Sequence, residues 1–336
     1  MKKILAIQFK YFGDAVFLAP ALLGIKEKFP NSEIHLLVAK EIAPVFNNLK
    51  YINKIWAIPR KRGKVNFFEL LPFIRALRAC EFDRVVDFGG NDRGAIFSLL
   101  SGSKIRLGLM EGSPKLIQKI CYTTRIDSYS LPKNYIYRNL GLLNSWGIHK
   151  TYNNNPKIIS NAYLKKQAQK ILNGRSIICH LGTSQPKKEW PIKKWQELYT
   201  HLGKRQEAVA FSSGNSERER ALLLALKKLE PSIFILPIIR DLELYLAVLN
   251  EAELVISGDT APLHFAHALG VKVIGLFGIH GSKKYAAPIY SLNEKVLSNT
   301  CLCVGDLEHY ETCMIKKSCM ESIKPNQVLN LFNLKQ

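Results

Sequence analysis

The residues best suited to chemistry lie in three short segments of the chain. Near the N-terminus, Gly13 and Asp14 follow an apolar run that reads as a first strand. An aspartate at the carboxyl end of such a strand could act as a general base, because ligands of open α/β sheets bind at that edge. It could equally cap the helix that follows, since aspartate is a favoured N-cap residue. Both interpretations remain open from these residues alone.

The second segment is HLGTSQPKKEWP, over residues 180–191. Gly182, Thr183 and Ser184 could offer backbone and hydroxyl donors to phosphate oxygens, and Lys188 would add a positive charge. A glycine-threonine-serine turn is also common where no ligand binds. This segment therefore suggests a phosphate site without requiring one.

The third segment, VISGDTAPLHFAHALG, places Asp259 and Thr260 between an apolar strand and a helix. Pro262 suits the first turn of that helix, and helix N-termini bind anions through their free N–H groups. His264 shares a helix face with His267, but such a pair is more often packed than ligating. The segment predicts an anion site and no metal site.

Strands and helices in alternation must position these segments. Strand-like stretches are ILAIQF, IHLLVA, RVVDFGG and KIRLGL in the first half, and SIICHLG, EAVAFSSG, ELVISGD and KVIGLFG in the second. Helices are predicted over LLPFIRALRAC and around residues 192–202, 216–229 and 261–269. This alternation implies right-handed βαβ units and parallel sheets. Since 336 residues exceed what one core usually supports, we predict two domains joined near residues 151–160.

The chain is strongly basic, with 48 Lys and Arg against 27 Asp and Glu and a net charge of +21. Such a charge favours a polyanionic partner, which could be nucleic acid, an anionic membrane or a phosphorylated substrate. The densest cluster comprises Arg60, Lys61, Arg62 and Lys64. A charge run of this kind is usually a solvated loop. Binding of an anionic partner is the second, more specific interpretation.

Neither a membrane-spanning apolar stretch nor a signal-peptide pattern is visible in the sequence. We therefore expect a cytoplasmic protein. In a reducing cytoplasm, clustered cysteines favour metal binding over disulfides. Four thiolates in the tail could hold a structural zinc or iron, although their spacing departs from the usual zinc ribbon; they are Cys301, Cys303, Cys313 and Cys319. The other cysteines read as ordinary core or strand residues.

Three stretches together resemble the ADP-heptose lipopolysaccharide heptosyltransferases of glycosyltransferase family 9. They are GDAVFLAPAL, HLG…KKEWPIKKW and GDTAPLHFAHALGVKVIGLFG, and the resemblance runs in order from residue 1 to about 323. It implies an α/β fold of GT-B type, with two Rossmann-like, doubly wound parallel-sheet domains facing a cleft. Residues 1–155 would then bind the acceptor, 156–323 would bind the nucleotide sugar and include the cysteine-rich loop, and helix 324–336 would cross back to the first domain.

The resemblance also implies inverting transfer from an ADP-sugar without a catalytic metal, with Asp14 as the base. Lys188 matches the lysine that meets the donor diphosphate, and the other matching donor-site positions are Thr183, Ser184, Asp259, Thr260 and His264. Ala261 replaces the usual glycine of the Asp-Thr-Gly-x-x-His signature, so the backbone would approach the donor less closely. These residue types suit the chemistry, because a carboxylate can deprotonate a hydroxyl and a lysine can stabilise departing ADP.

The function expected from these observations is heptose transfer from ADP-heptose to a lipopolysaccharide inner-core or related acceptor, at the cytoplasmic face of the inner membrane. The basic cluster at residues 60–64 would attract an acidic lipid-sugar acceptor. One alternative keeps the fold and makes the acceptor a protein, as in heptosyltransferases that modify autotransporter adhesins and carry a tail cysteine-metal site. A nucleic-acid-binding protein is suggested by charge alone, and no aromatic-basic signature supports it, so no nucleic acid is expected.

Overall fold

A computed structural model of the chain describes residues 2–9, 12–60, 67–113, 115–149, 155–278, 294–297 and 319–334. Contacts divide the chain into two compact units, Met1–Ile159 and Ser160–Gln336. The division falls within residues 151–160, where the sequence predicts the joint, and four residues after the boundary at residue 155 that the resemblance implies. Each unit is described by itself below.

The first unit is a six-stranded, wholly parallel sheet with flanking helices. Its strands are β1 (Lys3–Gln8), β2 (Glu33–Ala39), β3 (Lys54–Ile58), β4 (Arg84–Asp87), β5 (Ile105–Met110) and β6 (Thr124–Asp127). Its helices are α1 (Phe12–Val16), α2 (Ala19–Lys28), α3 (Phe67–Arg78), α4 (Asp92–Leu100), α5 (Leu116–Cys121) and α6 (Tyr135–Leu142). The strands predicted from ILAIQF, IHLLVA, RVVDFGG and KIRLGL are confirmed, whereas β3 and β6 were not predicted.

The second unit repeats this design. Its strands are β7 (Ile177–His180), β8 (Val209–Ser212), β9 (Phe234–Ile235), β10 (Leu254–Gly258), β11 (Lys272–Phe277) and β12 (Lys295–Leu297). Its described helices are α7 (Lys165–Leu172), α8 (Ile192–Gly203), α9 (Glu217–Leu229), α10 (Leu242–Asn250), α11 (Ala261–Ala268) and α12 (Pro325–Asn333). All described pairs of neighbouring strands are parallel.

Burial explains why the central strands read as continuous apolar runs. Ile4, Leu5, Ala6 and Ile7 of β1 are all fully buried, because helices cover both faces of a parallel sheet. The same holds for β10, where Val255 and Ile256 are fully buried. Two-sided burial removes the alternating pattern that marks a half-exposed strand.

The order of the strands determines where a ligand can enter each unit. The first sheet runs β3-β2-β1-β4-β5-β6, and the second runs β12-β11-β10-β7-β8-β9, which is the same order read from the other edge. In each sheet the chain adds two strands on one side of the first strand and then crosses over to add three on its other side. A crevice therefore opens between the carboxyl ends of β1 and β4 in the first sheet, and between those of β7 and β10 in the second. Functional side chains are therefore expected in the loops after these four strands.

The last helix closes the core of the second unit. Val328, Leu329 and Phe332 of α12 are buried in the same apolar cluster as Trp190 and Trp195. The indole Nε1 of Trp190 donates to the carbonyl of Ile323 at 3.0 Å, which ties the loop after β7 to the C-terminal segment. The crossover of residues 324–336 to the first domain, implied by the resemblance, stays a prediction.

No helix among the described residues combines the length and the apolar character needed to cross a membrane.

Candidate functional site

The loop after β7 and the turn after β10 lie against each other at the crevice of the second unit. A β-carbon at position 258 would lie 3.0 Å from Thr183 Cγ2 and 3.3 Å from the Lys188 carbonyl oxygen. Any larger residue at Gly258 would push this loop outward. The glycine therefore allows the segment that carries Lys188 to reach the turn that carries Asp259.

Lys188, Asp259 and His264 form one contiguous group at this point. Lys188 Nζ lies 2.7 Å from Asp259 Oδ2, and His264 Nε2 lies 3.3 Å from Asp259 Oδ1. The Lys188 and Asp259 side chains are 21% and 23% exposed, and that of His264 is buried. One carboxylate thus orients a lysine and a histidine that are 76 residues apart in the chain, and the lysine stays accessible to a ligand.

The protonation state of Asp259 follows from its neighbours. Burial alone would raise its pKa, but the hydrogen bond with His264 and the charge of Lys188 outweigh that effect and hold the pKa below the usual range. The carboxylate is therefore ionised at neutral pH. It supplies the negative charge that compensates the partly buried Lys188 ammonium.

The N-terminus of α11 adds backbone donors to this group. Thr260 precedes the helix in an extended conformation, and its side chain makes no capping hydrogen bond. Ala261 begins the helix and Pro262 lies in its first turn. The first N–H groups of a helix carry partial positive charge, so this end favours an anion.

Thr183 and Ser184 differ in what they can offer to a ligand. Thr183 is buried, and its hydroxyl donates to the Gln185 carbonyl at 2.7 Å, so it shapes the loop from within. Ser184 is exposed. Of the two predicted hydroxyl donors, Ser184 is the more accessible.

A buried polar row lies beneath these loops. His180, Ser212 and Ser257 are the aligned residues of β7, β8 and β10, and all three are buried. His180 Nδ1 lies 2.9 Å from Ser212 Oγ. Burial lowers the pKa of His180 to about 4, so this histidine is neutral at physiological pH and serves as a hydrogen-bonding group.

In the first unit, Asp14 lies at the matching crevice, in the short helix α1 that follows β1. The helix begins at Phe12, so Asp14 lies within it, whereas an N-cap residue precedes the helix. This position disfavours the capping interpretation. The side chain of Asp14 lies outside the described atoms, and its role as a base stays a prediction.

The loop after β4, next to the end of β1, is held by a buried aspartate. Tyr122 donates to Asp87 Oδ2 at 2.5 Å, and the Gly89 N–H donates to Asp87 Oδ1 at 2.8 Å. A β-carbon at Gly94 would lie 2.1 Å from the same carboxylate, so the start of α4 packs directly on it. Asp87 therefore sets the backbone of the glycine-rich turn after β4.

Comparison with known proteins gives a consistent assignment. The sequence profile of glycosyltransferase family 9 (heptosyltransferase) matches residues 70–316. The chain belongs to glycosyltransferase family 9. It is therefore a glycosyltransferase, and its two six-stranded Rossmann-like units are those of the GT-B type.

One relative and two solved structures of family 9 proteins have low sequence identity to this chain but align with nearly all of its length. Lipopolysaccharide heptosyltransferase 1 of Campylobacter coli is 24% identical, covering 98% of this chain and 97% of the relative. A family 9 glycosyltransferase structure from Veillonella parvula superposes with a TM-score of 0.79 at 18% identity, covering 99% of this chain and 97% of that one. The E. coli heptosyltransferase WaaC with ADP-2-deoxy-2-fluoro heptose gives a TM-score of 0.71 at 19% identity, covering 99% and 100%.

Sequence reasoning missed the residues that brace the family 9 chain's loop after β7. Arg218 of α9 donates to the Thr183 carbonyl at 2.5 Å and forms an ion pair with Glu189. The Glu219 carboxylate fills the space beside Gly182 and Gly214, where a β-carbon would lie 2.5 Å from its oxygen. The only sequence signal was the Glu-Arg-Glu-Arg run that opens α9, which reads as an exposed helix start.

Arg93 is a further cation that the sequence analysis did not single out. Its guanidinium lies 4.4 Å from the centre of the Phe9 ring and donates to the Pro59 carbonyl at 3.1 Å. The Arg60 N–H donates to Glu41 at 3.1 Å. Arg93 and Arg60 thus approach each other at the carboxyl edge of the first sheet. The pKa of Arg93 is lowered, mainly by burial; the charge of Glu41 opposes this effect and the charge of Arg60 adds to it.

Several predicted residues lie outside the described parts of the chain. They are Lys61, Arg62, Lys64, Cys301, Cys303 and Cys313. Cys319 begins a short 3-10 turn, Cys319–Ser322, and its side chain is not described. Within the described ranges no group of three or more His, Cys, Asp or Glu could hold a metal. The tail metal site stays a prediction.

Proposed function

We propose that this glycosyltransferase transfers a heptose, with inversion, from ADP-heptose to a lipopolysaccharide inner-core acceptor. The observation that carries the proposal is the Lys188–Asp259–His264 group beside the N-terminus of α11, at the crevice of the second unit. This arrangement suits a diphosphate. The Campylobacter coli relative is a lipopolysaccharide heptosyltransferase by name, and the WaaC structure contains an ADP-heptose analogue, which supports the choice of donor and acceptor.

The proposed reaction is a single displacement. Asp14 takes the proton of an acceptor hydroxyl, and the resulting oxygen nucleophile attacks the anomeric carbon of the heptose. The bond between that carbon and the diphosphate oxygen breaks, and its electron pair leaves with ADP. Attack from the face opposite the leaving group inverts the anomeric centre.

Lys188 stabilises the departing ADP in this scheme. Negative charge grows on the diphosphate as the bond breaks, so a fixed ammonium and the α11 N-terminus bind the transition state more strongly than the ground state. An ammonium has three donors, and Asp259 accepts from one of them. Asp259 therefore holds the lysine in place at an accessible position, where the ammonium can meet phosphate oxygens.

The acceptor would meet the first unit. Arg60 and Arg93 lie at the carboxyl edge of its sheet, and Lys61, Arg62 and Lys64 follow in the chain. A phosphorylated or acidic lipid-sugar is attracted to such a concentration of positive charge. Because that acceptor is anchored in lipid, we propose that the enzyme works in peripheral contact with the inner membrane, from the cytoplasmic side.

The test is direct transfer. Purified protein is incubated with ADP-heptose and heptose-free inner-core lipopolysaccharide, and mass spectrometry looks for an acceptor heavier by one heptose. Anomeric coupling constants from NMR of the product report the stereochemistry. UDP-glucose and GDP-mannose serve as donor controls. Transfer only to an adhesin polypeptide, or consumption of a control donor in preference to ADP-heptose, would contradict the proposal.

A further inference from the structure

Helix α5 of the first unit exposes apolar side chains on its outer face. Gln118 and Cys121 are buried on the inner side, where Ile117 also packs. On the outer side Leu116 is 74% exposed and Ile120 is 60% exposed. Residues four positions apart lie on the same helix face, so these two side chains form a joint apolar ridge.

An exposed aromatic ring lies beside the loop that leads into this helix. Tyr129, in the turn after β6, is 82% exposed. A β-carbon at Gly112 would lie 3.8 Å from its ring, which places Tyr129 beside the loop that leads into α5. Tyrosine has an apolar ring and a polar hydroxyl, and it favours boundaries between water and an apolar phase.

Basic side chains surround the apolar ridge. Arg125 donates to the carbonyls of Lys119 and Tyr122 at 3.0 and 3.2 Å, so its guanidinium lies at the C-terminal end of α5. Lys115 and Lys119 are exposed. The acidic groups nearby are Asp92, which pairs with Lys115 at 3.5 Å, Glu111 and Asp127, whose side chain accepts from the Tyr129 N–H. The α5 face is defined here as Lys115, Leu116, Lys119, Ile120, Arg125 and Tyr129.

We propose that the α5 face docks on an anionic lipid bilayer. Leucine, isoleucine and tyrosine can enter the headgroup region while the lysines and the arginine contact anionic headgroups. A second copy of the chain is a poorer occupant, because a symmetric contact would place these cations against one another on a chain of net charge +21. The inference rests on the proposed function in one respect, since a lipid-anchored acceptor gives membrane docking its purpose.

The test is co-sedimentation of the full chain with vesicles. Vesicles of phosphatidylcholine mixed with phosphatidylglycerol are compared with vesicles of phosphatidylcholine alone. We expect binding to the anionic vesicles that falls as salt increases. The double variant Leu116→Ser, Ile120→Ser should bind at least about tenfold more weakly. Lys115→Gln with Lys119→Gln should lose roughly fivefold per removed charge.

The matched control is Leu224→Ser. Leu224 lies on α9 of the second unit and is 61% exposed, close to the value for Ile120. Its replacement should leave vesicle binding unchanged. Thermal unfolding of every variant checks that the exposed substitutions preserve the fold.

Three results would overturn the docking inference. One is vesicle binding that survives loss of both apolar side chains, and another is equal binding to neutral vesicles. The third is a concentration-dependent dimer in sedimentation equilibrium that the α5 variants abolish, which would assign the face to a second copy. Transfer to a delipidated, soluble acceptor should be equal in the variants and the parent. If that transfer occurs without vesicle binding, only the docking inference fails, and if no transfer occurs at all, the proposed function fails.

Discussion

Replacing Lys188 with methionine tests the donor site most directly. The substitution removes the ammonium and keeps a long unbranched side chain. In the structure the ammonium lies 2.7 Å from Asp259 and retains access to solvent, so it can also contact a diphosphate. A hydrogen bond between charged groups contributes about 2 kcal/mol, which corresponds to about a thirtyfold increase in the Kd for ADP. Because the substitution leaves the Asp259 carboxylate beside the diphosphate without its cation, the loss should be at least this large.

The same substitution should also lower the stability of the second unit. Removing one partner of a fully buried ion pair costs about 3 to 5 kcal/mol, and this pair is partly exposed, so we expect about 1 to 2 kcal/mol. The pKa of Asp259 is held low, so the pair contributes stability above the ordinary carboxyl pKa and loses it as the pH falls toward the folded value. The difference in unfolding free energy should therefore be constant around neutral pH. Adding Asp259→Asn should restore part of the stability without restoring ADP affinity.

Isothermal titration calorimetry with ADP and urea unfolding measure the two effects. Lys187→Met is the matched control, because it changes the charge of the same loop at the neighbouring residue and leaves the pair with Asp259 intact. The reasoning is refuted if Lys188→Met binds ADP within about twofold of the parent. It is equally refuted if Lys187→Met loses as much affinity as Lys188→Met.

Three other predictions concern catalysis, pH and the tail. Asp14→Asn should reduce turnover about 100-fold or more with ADP affinity unchanged, and near-normal turnover in steady-state kinetics would remove Asp14 from the mechanism. Burial lowers the pKa of His180 to about 4, so this histidine binds a proton more strongly in the unfolded chain than in the folded one. The free energy of unfolding should therefore fall by about 3 kcal/mol as the pH drops from the ordinary histidine pKa toward 4. Urea titrations of His180→Asn should show a much smaller loss over that range, and an identical loss would contradict the assignment. Elemental analysis of untagged protein should find about one zinc or iron ion per chain. Replacing the four tail cysteines with serine should remove this metal content, and a parent protein without metal would rule the site out.

Neutralising the basic cluster tests acceptor capture. With Arg60, Lys61, Arg62 and Lys64 changed to glutamine, the KM for a phosphorylated lipid-sugar acceptor should rise several-fold and depend less on salt, with the Kd for ADP unchanged. Initial rates at several ionic strengths measure this effect. Exposed lysines of α7, such as Lys166 and Lys170, provide a control of equal chemistry in the second unit. A KM that does not respond to the cluster would indicate an ordinary solvated loop.

The eight inner strands of the two sheets could be predicted from the sequence, because two-sided burial makes them continuous runs of branched and aromatic residues. The edge strands β6 and β9 could not be predicted, because the sequence TRID of β6 shows neither an alternating nor a continuous apolar pattern and the two residues of β9 are too few to show one. Their pairing depends on neighbours that only the folded sheet provides. Helices α8, α9 and α11 were predictable because their apolar residues recur at helical spacing.

For the residues of the proposed donor site, the sequence predicted which residue types would take part but not which side chains contact one another. Lys188 and Asp259 lie in segments whose sequences indicate a strand, a loop and a helix. No local pattern indicates that the two side chains, 71 residues apart in the chain, lie 2.7 Å from each other. Arg218 and Glu219 were missed for a related reason. At the start of a helix, alternating charges normally face solvent, and only contact with the loops after β7 and β8 turns these two side chains inward. Asp87 was likewise read simply as part of a strand, and its bond with Tyr122 joins residues 35 apart.

The anchor between Trp190 and Ile323 has a consequence for the biosynthesis of the enzyme. The loop that carries Lys188 is attached at its far end to the carbonyl of Ile323, 133 residues further along the chain than Trp190, and Lys194 donates to that same carbonyl at 2.8 Å. The chain leaves the ribosome N-terminus first, so Ile323 emerges after both central strands of the second sheet, β7 and β10, have emerged. Until then the indole has no acceptor and the loop lacks its outer attachment. A nascent chain can therefore assemble its first unit early, while the loop that carries Lys188 becomes fully anchored only after residue 323 has left the ribosome.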